Sequence, residues 1–169
     1  EFTLVGIPIL FTLISVFEIS RGMWMYDTLA YSAKAGVRFA TVHGINCVNT
    51  ASNPNTCTKT VADVALVIQN AGVGLDLATT SLTFTPGDNG AASTTCTLTG
   101  CASRTDPVNN RWPWYDASFA TTPNSVGRAL RIDVTTPFRS ALAMLWPGTQ
   151  SVRFGQFTLG ASSQDYIQY

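Results

Sequence analysis

The chain has 169 residues, enough for about one domain, and its ten basic and ten acidic residues give a formal net charge of zero. Charged residues make up 12% of the sequence, about half the usual share, and Ser, Thr, Asn and Gly replace much of the missing charge. A neutral chain with scattered basic residues lacks the basic surface that nucleic-acid binding requires, so no nucleic-acid partner is expected.

The chain opens with an apolar stretch that predicts a helix buried either in a bilayer or among copies of itself. Residues 2–17 contain no charged side chain. A helix of that length spans about 24 Å, slightly less than the hydrocarbon core of about 30 Å. The stretch has no basic region before it and no small-residue cleavage pattern after it, so it does not resemble a removable signal peptide. A plain single-span anchor is the alternative to a self-packing segment.

Behind this stretch the predicted helix becomes amphipathic and continues to about His43. Glu18 and Arg21 stand three residues apart, a spacing at which side chains pair on a helix surface. The single histidine, His43, is expected to interact with the terminal helix carbonyls. Small residues recur every three or four positions and predict a flat face for close packing: Ala30, Ala33, Gly36 and Ala40.

The four cysteines form two local pairs in the sequence, Cys47 with Cys57 and Cys96 with Cys101. Four cysteines allow three connectivities, and we favour two local disulfides because short loops close at low entropic cost. A metal site is the alternative, but the cysteine spacing and the single histidine fit structural zinc poorly. Disulfides predict an oxidising compartment, and we expect no metal or other cofactor.

The rest of the chain predicts one short helix and then strands. Thr60 is expected to cap a helix from Val61 to about Asn70. Alternating residues predict strands at 81–85, 128–135 and 152–159, a small hairpin at 94–99 around Cys96 and Cys101, and a short apolar helix or bend at 138–146. The predicted fold is α+β: an N-terminal helix unit, residues 1–45, packs through its back half on a small antiparallel sheet in a head domain, residues 46–169.

An aromatic cluster lies in the otherwise irregular residues 102–124. Its members, Arg111, Trp112, Trp114 and Tyr115, could form an exposed patch that binds sugars or a surface. The alternative is a loop pinned by its aromatic rings to the sheet or to the next subunit. His43 has no recognisable triad around it, and the sequence has no Gly-rich phosphate loop, so we do not expect an enzyme.

The first helix carries a recognisable pattern. Glu1-Phe2-x-Leu4-Val5-x-x-Pro8, an apolar run and then Glu18-x-x-Arg21-Gly22 resemble the TadE-like pilins, from the tight-adherence branch of type IV pilus-like systems. Residues 33–40 are similar to the small-residue stretch of that family, which ends in an arginine, here Arg38. The specific resemblance covers residues 1–45, and the final strands match more loosely.

The resemblance implies a precursor in the inner membrane that a prepilin peptidase trims and the pilus assembly machinery exports to the cell surface. Identical subunits would be its partners, and the assembly residues would be Glu1, Phe2, Leu4, Val5, Pro8, Leu10, Phe11, Leu13, Ile14 and Phe17. The family usually has a few residues between its cleavage point and the glutamate, whereas Glu1 stands first here. A cut elsewhere, a missing beginning and a cloning scar all stay open.

Three functions follow as expectations. The favoured one is a structural subunit that polymerises through its N-terminal helix into an extracellular Tad-like pilus. The others are a minor or priming pseudopilin or adhesin, and a membrane-anchored extracytoplasmic binding domain that never polymerises. In a filament core the Glu1 carboxylate would need a partner, and we expect it to pair with a free α-amino group.

Overall fold

A computed structural model describes residues 2–43, 59–87, 93–104, 127–140 and 156–168. The elements in chain order are α1 (Phe2–Thr41), α2 (Val61–Ala71), β1 (Ser81–Pro86), β2 (Thr94–Thr97), α3 (Leu98–Ala102), β3 (Ala129–Arg139) and β4 (Gln156–Tyr166). The strands form one antiparallel sheet in the order β2-β1-β3-β4. The fold is α+β, with a long N-terminal helix and a small sheet, as the sequence predicts.

Helix α1 is continuous over 40 residues, about 60 Å, and its two halves have different surroundings. Pro8 lies inside the helix near its beginning, where a missing backbone donor costs only one early hydrogen bond. From Glu18 onward one face of α1 is buried against α2, β3 and β4. Leu29 and Val37 on that face belong to the hydrophobic core.

Helix α2 begins where the sequence predicts it, at a capping box. Thr60 Oγ1 accepts a hydrogen bond from the Asp63 N–H at 3.3 Å, and Asp63 Oδ2 accepts one from the Thr60 N–H at 2.8 Å. These two bonds satisfy backbone donors that the first helical turn leaves free. The helix ends at Ala71 and is capped by Gly72, whose N–H donates to the Ile68 carbonyl at 2.8 Å.

Gly36 allows α1 and α2 to approach closely. A Cβ atom at Gly36 would lie 2.5 Å from Ile68 Cγ1, so even a methyl group would overlap α2. Ala33 and Ala40 are fully buried, and Ala30 is half-buried. The small-residue face predicted from the sequence therefore packs closely against the rest of the protein.

The inner face of the sheet supplies the other half of the core. Strands β1 and β3 alternate, and their inward side chains are fully buried: Leu82, Phe84, Leu130, Ile132 and Val134. The register places Leu82 opposite Val134 and Phe84 opposite Ile132. Thr80 Oγ1 donates to Thr136 Oγ1 at 3.0 Å, so these two buried hydroxyls partner each other beside the apolar core.

The last two predicted elements, the helix or bend at 138–146 and the strand at 152–159, need correction. Phe138 does not begin a helix or bend; it belongs to β3, pairs with Phe157, and their ring centroids are 4.9 Å apart. The final strand does not end at Leu159 but extends to Tyr166, and residues 152–155 lie outside the described residues. Both differences arise from pairing between β3 and β4 along their full length, which a local pattern does not reveal.

The predicted hairpin at 94–99 is also wrong. Residues 94–97 form β2, which pairs with β1, and the chain then turns into α3. The Thr97 side chain accepts a hydrogen bond from the Gly100 N–H at 3.1 Å and caps that helix. The predicted Cys96–Cys101 disulfide is present, and Cys47 and Cys57 lie outside the described residues.

Candidate assembly surface

The front segment, residues 4–17 of α1, is exposed on every side of the helix. Its side chains are exposed except for Gly6 and Ile14, which are half-buried. Among the predicted assembly residues the exposed ones are Leu4, Val5, Pro8, Leu10, Phe11, Leu13 and Phe17. Phe2 belongs to the helix, but its side chain and Glu1 lie outside the description. Because no face of this segment packs on the described part of the head, its apolar surface requires another environment.

The polar side chains of this region are already satisfied within the helix. Thr12 Oγ1 donates to the Pro8 carbonyl at 2.8 Å, Ser15 Oγ donates to the Phe11 carbonyl at 2.8 Å, and Ser20 Oγ donates to the Val16 carbonyl at 2.9 Å. A hydroxyl without a partner is costly in an apolar environment, and these bonds remove that cost. The front segment is therefore compatible with lipid or with a protein interior.

Helix α1 is long and apolar enough to cross a membrane by length and composition. Only 6% of the most apolar 18-residue stretch of α1 is buried inside the chain, whereas the core helix of a soluble protein is mostly buried. A membrane anchor and a signal sequence share this property. The helix is thus consistent with membrane association.

The head first covers α1 at Glu18, which is 7% exposed. Arg21 Nη1 lies 3.5 Å from Glu18 Oε1, so the pairing predicted from their spacing is confirmed. The Arg21 guanidinium stands over the Phe138 ring, 5.1 Å from its centroid, and a Cβ at Gly22 would lie 3.8 Å from that ring. Neither oxygen of Glu18 has a hydrogen-bond partner within the described part of the chain.

Sequence reasoning missed the burial of Glu18 because a glutamate next to an arginine is normally a surface pair. A signal was nevertheless present. Four residues are separated by nearly whole numbers of helical turns and therefore share one face of α1: Glu18, Gly22, Leu29 and Gly36. Gly36 belongs to the small-residue face that was predicted to pack closely, and the same helical geometry places Glu18 on that face.

Beyond Glu18 the part of α1 that the head leaves uncovered is apolar and exposed. We call it the outward face; its large apolar residues are Ile19, Met23, Trp24, Tyr26 and Tyr31. The Trp24 ring borders the loop after α2, where a Cβ at Gly74 would lie 2.6 Å from the ring and where φ is +88°. Glycine is required there both by that backbone angle and by the ring.

The remaining predicted sites have separate outcomes. His43 Nδ1 lies 2.6 Å from the Phe39 carbonyl, so its predicted role at the helix end is confirmed. Across the described ranges no group of three or more His, Cys, Asp or Glu side chains could hold a metal ion. The aromatic patch of Arg111, Trp112, Trp114 and Tyr115 lies outside the described residues.

No protein-family model matches the sequence, and the comparisons with curated proteins and with solved structures give no match. The resemblance to TadE-like pilins therefore depends on the residues of the first helix, and it stays a prediction.

Proposed function

We propose that the chain is a structural pilin-like subunit that polymerises through α1 into a type IV-like, Tad-like filament on the cell surface. The observation that carries the proposal is the front segment, which is apolar and exposed all round while the rest of α1 packs on the head. Burying one Leu- or Phe-sized side chain is worth about 1.5–3 kcal/mol. Lipid would cover this surface before assembly, and other copies of α1 would cover it afterwards.

The outward face favours assembly over a monomeric anchor. Since the head already covers Glu18 and reaches Gly22, the residues that follow lie at the level of the head and beyond the lipid-embedded front segment. In a monomer Met23 and Tyr31 would stand in water beside the head. Helices from neighbouring copies would cover them in a filament, and an anchor alone has no use for them.

The head has features that suit the outside of a fibre. The outer face of the sheet carries short polar side chains at paired positions, including Thr83 opposite Thr95 and Asp133 opposite Ser162. The Cys96–Cys101 disulfide suits an oxidising compartment. A contact between two different faces of the subunit that repeats without closing generates a helical filament.

Two matched substitutions test the proposal. Leu13, 62% exposed in the front segment, and Val73, 68% exposed on the head, are each changed to Lys in the full chain. We expect Leu13→Lys to lower the yield of sheared surface filaments about tenfold or more, because a charge at this depth opposes both lipid and helix packing. Val73→Lys should leave the yield unchanged. Immunoblotting and electron microscopy of sheared fibres provide the measurement.

A second variant separates anchoring from assembly. Phe11→Ala with Leu13→Ala keeps the segment apolar but removes large packing side chains, so the protein should still enter the membrane while fewer filaments form. A parent chain that stays in the membrane as single molecules would overturn the proposal in favour of an anchored domain. A parent chain found only in trace amounts within fibres made of another protein would identify it as a minor subunit.

A further inference from the structure

Three exposed charges stand on the side of α1 that points away from the head. We call Asp27, Lys34 and Arg38 the charged row. No ion pair or hydrogen bond joins their side chains to any other residue within the described ranges. Asp27 and Lys34 are separated by about 10 Å along one helix, too far to pair, and Lys34 and Arg38 are like charges one turn apart. The charged row therefore lacks complementary charge within the described part of its own chain.

A second row on the same side of α1 repeats at the same interval. Phe17, Trp24 and Tyr31 are seven residues apart, and all three are exposed. Asp27 and Lys34 are also seven residues apart. A helix face with this repeat presents equivalent positions about every two turns, so two copies can match their rows when one is shifted along the other.

A single shift of one copy along the other matches both the charged row and the aromatic row. Two parallel copies in register would place Asp27 beside Asp27 and Lys34 beside Lys34, which are like charges. A shift of seven residues instead brings Asp27 beside Lys34 of the neighbouring copy, with Arg38 of that copy one turn away. The same shift brings Trp24 beside Tyr31 of the neighbour, a pair of aromatic rings that can pack.

We propose that neighbouring copies of this chain pack in parallel through the outward face of α1, offset by seven residues or about 10 Å along the helix. In this arrangement Asp27 pairs with Lys34 of the next copy, and Trp24 packs against its Tyr31. The inference rests on the proposed function, which supplies parallel copies because every subunit leaves the membrane in the same orientation. It adds the register of the contact and the residues that set it.

An antiparallel pair would also bring Asp27 to Lys34 but differs in two ways. Its two-fold axis would pass near Tyr31, so the two Tyr31 side chains would meet. The contact would also close into a dimer, whereas the parallel offset contact leaves a free surface on each copy and continues. Cross-linking can therefore distinguish the two arrangements.

The test introduces cysteines into the full chain and oxidises intact filaments. Asp27→Cys with Lys34→Cys in one chain should give a ladder of disulfide-linked multimers on a non-reducing gel. The two new cysteines cannot join within one helix, because a disulfide requires Cα atoms less than about 7 Å apart. The parent chain and each single cysteine variant should stay monomeric. Tyr31→Cys alone should also stay monomeric, and a dimer would favour the antiparallel pair and overturn the proposal.

A charge exchange tests the same contact without cross-linking. Asp27→Lys and Lys34→Asp should each lower filament yield about tenfold, because like charges then face each other at every contact along the fibre. The double variant restores opposite charges, and its yield should recover to within about twofold of the parent. Arg139→Asp, which changes net charge on the head by the same amount as Lys34→Asp, serves as the control and should leave the yield unchanged.

The results separate the offset from the proposed function. Filaments that form normally but give no ladder with Asp27→Cys and Lys34→Cys would overturn the offset and leave the pilin proposal standing. A double charge variant that assembles as poorly as the single variants would do the same. A parent chain that forms no filaments and remains monomeric in the membrane would overturn both.

Discussion

Arg21 Nη1 lies 3.5 Å from Glu18 Oε1 at the point where the head begins to cover α1. The two side chains have unequal surroundings, since Glu18 is buried while the Arg21 side chain is 39% exposed and stands over the Phe138 ring. A buried carboxylate is costly unless a counter-charge is near. Arg21 supplies that counter-charge from the solvent side, so the pair marks the junction between the front segment and the head.

Replacing Arg21 by Ala should destabilise the protein by about 2 kcal/mol, because it leaves the Glu18 carboxylate buried without its counter-charge. Glu18→Gln with Arg21→Ala should recover most of that loss, since a neutral amide needs no cation. Denaturant unfolding in detergent, followed by tryptophan fluorescence, measures the free energy. Equal losses in the single and double variants would show that the pair itself contributes nothing.

Two glycines in α1 should respond to the same substitution with opposite signs. Gly36→Ala should destabilise by about 1–3 kcal/mol, because its Cβ would lie 2.5 Å from Ile68 Cγ1 in a filled core. Gly22→Ala should stabilise by up to about 1 kcal/mol, because its Cβ would meet the Phe138 ring at 3.8 Å and alanine favours the helix.

Unfolding midpoints of the two alanine variants in the same detergent provide the comparison. Ile68→Ala combined with Gly36→Ala should lose less stability than the sum of the two single changes, because the smaller side chain makes room for the methyl group. Strict additivity of the two changes would contradict the close approach of α1 and α2.

The first helix could be predicted because its signals are local. Apolar residues at positions 2–17, small residues at the helical repeat and the Thr60 cap of α2 each act within a few residues, and the helices form where these signals place them. The exposure of the front segment could also be predicted from the sequence, because the segment is apolar on all sides and has no amphipathic pattern that would direct one face to the head. Burial of Glu18 required knowledge of which face meets the head.

The end of β3 and the position of β4 depend on distant partners instead. β4 contains Gly160, Ala161 and Ser162, which are poor strand formers with no strong alternation. Its pairing with β3 and its packing on α1 stabilise the extended conformation of β4. Pro137 indicates a strand end, but it lies beyond the part of β3 that pairs with β1. Among the described strands, only β4 is bonded to β3 at that position.

Asp76 should contribute to the loss of stability of the head in acid. Its Oδ1 accepts a hydrogen bond from the Ala78 N–H at 3.1 Å, and the hydroxyl of Thr79 together with that N–H lowers the pKa of Asp76 below its usual value. A carboxyl whose folded pKa lies below its unfolded value stabilises the protein above the unfolded pKa, and this contribution is lost as pH falls through the folded pKa.

Asp76→Asn keeps an acceptor for the turn but removes the titrating group. Between about pH 5 and pH 2 we expect the free energy of unfolding of this variant to fall less steeply than that of the parent. The other carboxyls are common to both proteins, so the difference between the two curves reports Asp76. Parallel curves over that range would contradict a lowered pKa at this position.

The Cys96–Cys101 disulfide should protect the edge of the sheet. β2 is an edge strand whose only partner in the described sheet is β1, and the disulfide joins it to α3, which packs on α2. Changing both cysteines to Ala should cost about 2 kcal/mol, the value expected for so short a loop. Hydrogen exchange should show faster exchange of the β2 amides and little change in β3, because β3 keeps both of its neighbours. Equal acceleration in β2 and β3 would mean that the bond stabilises the whole head instead of its edge.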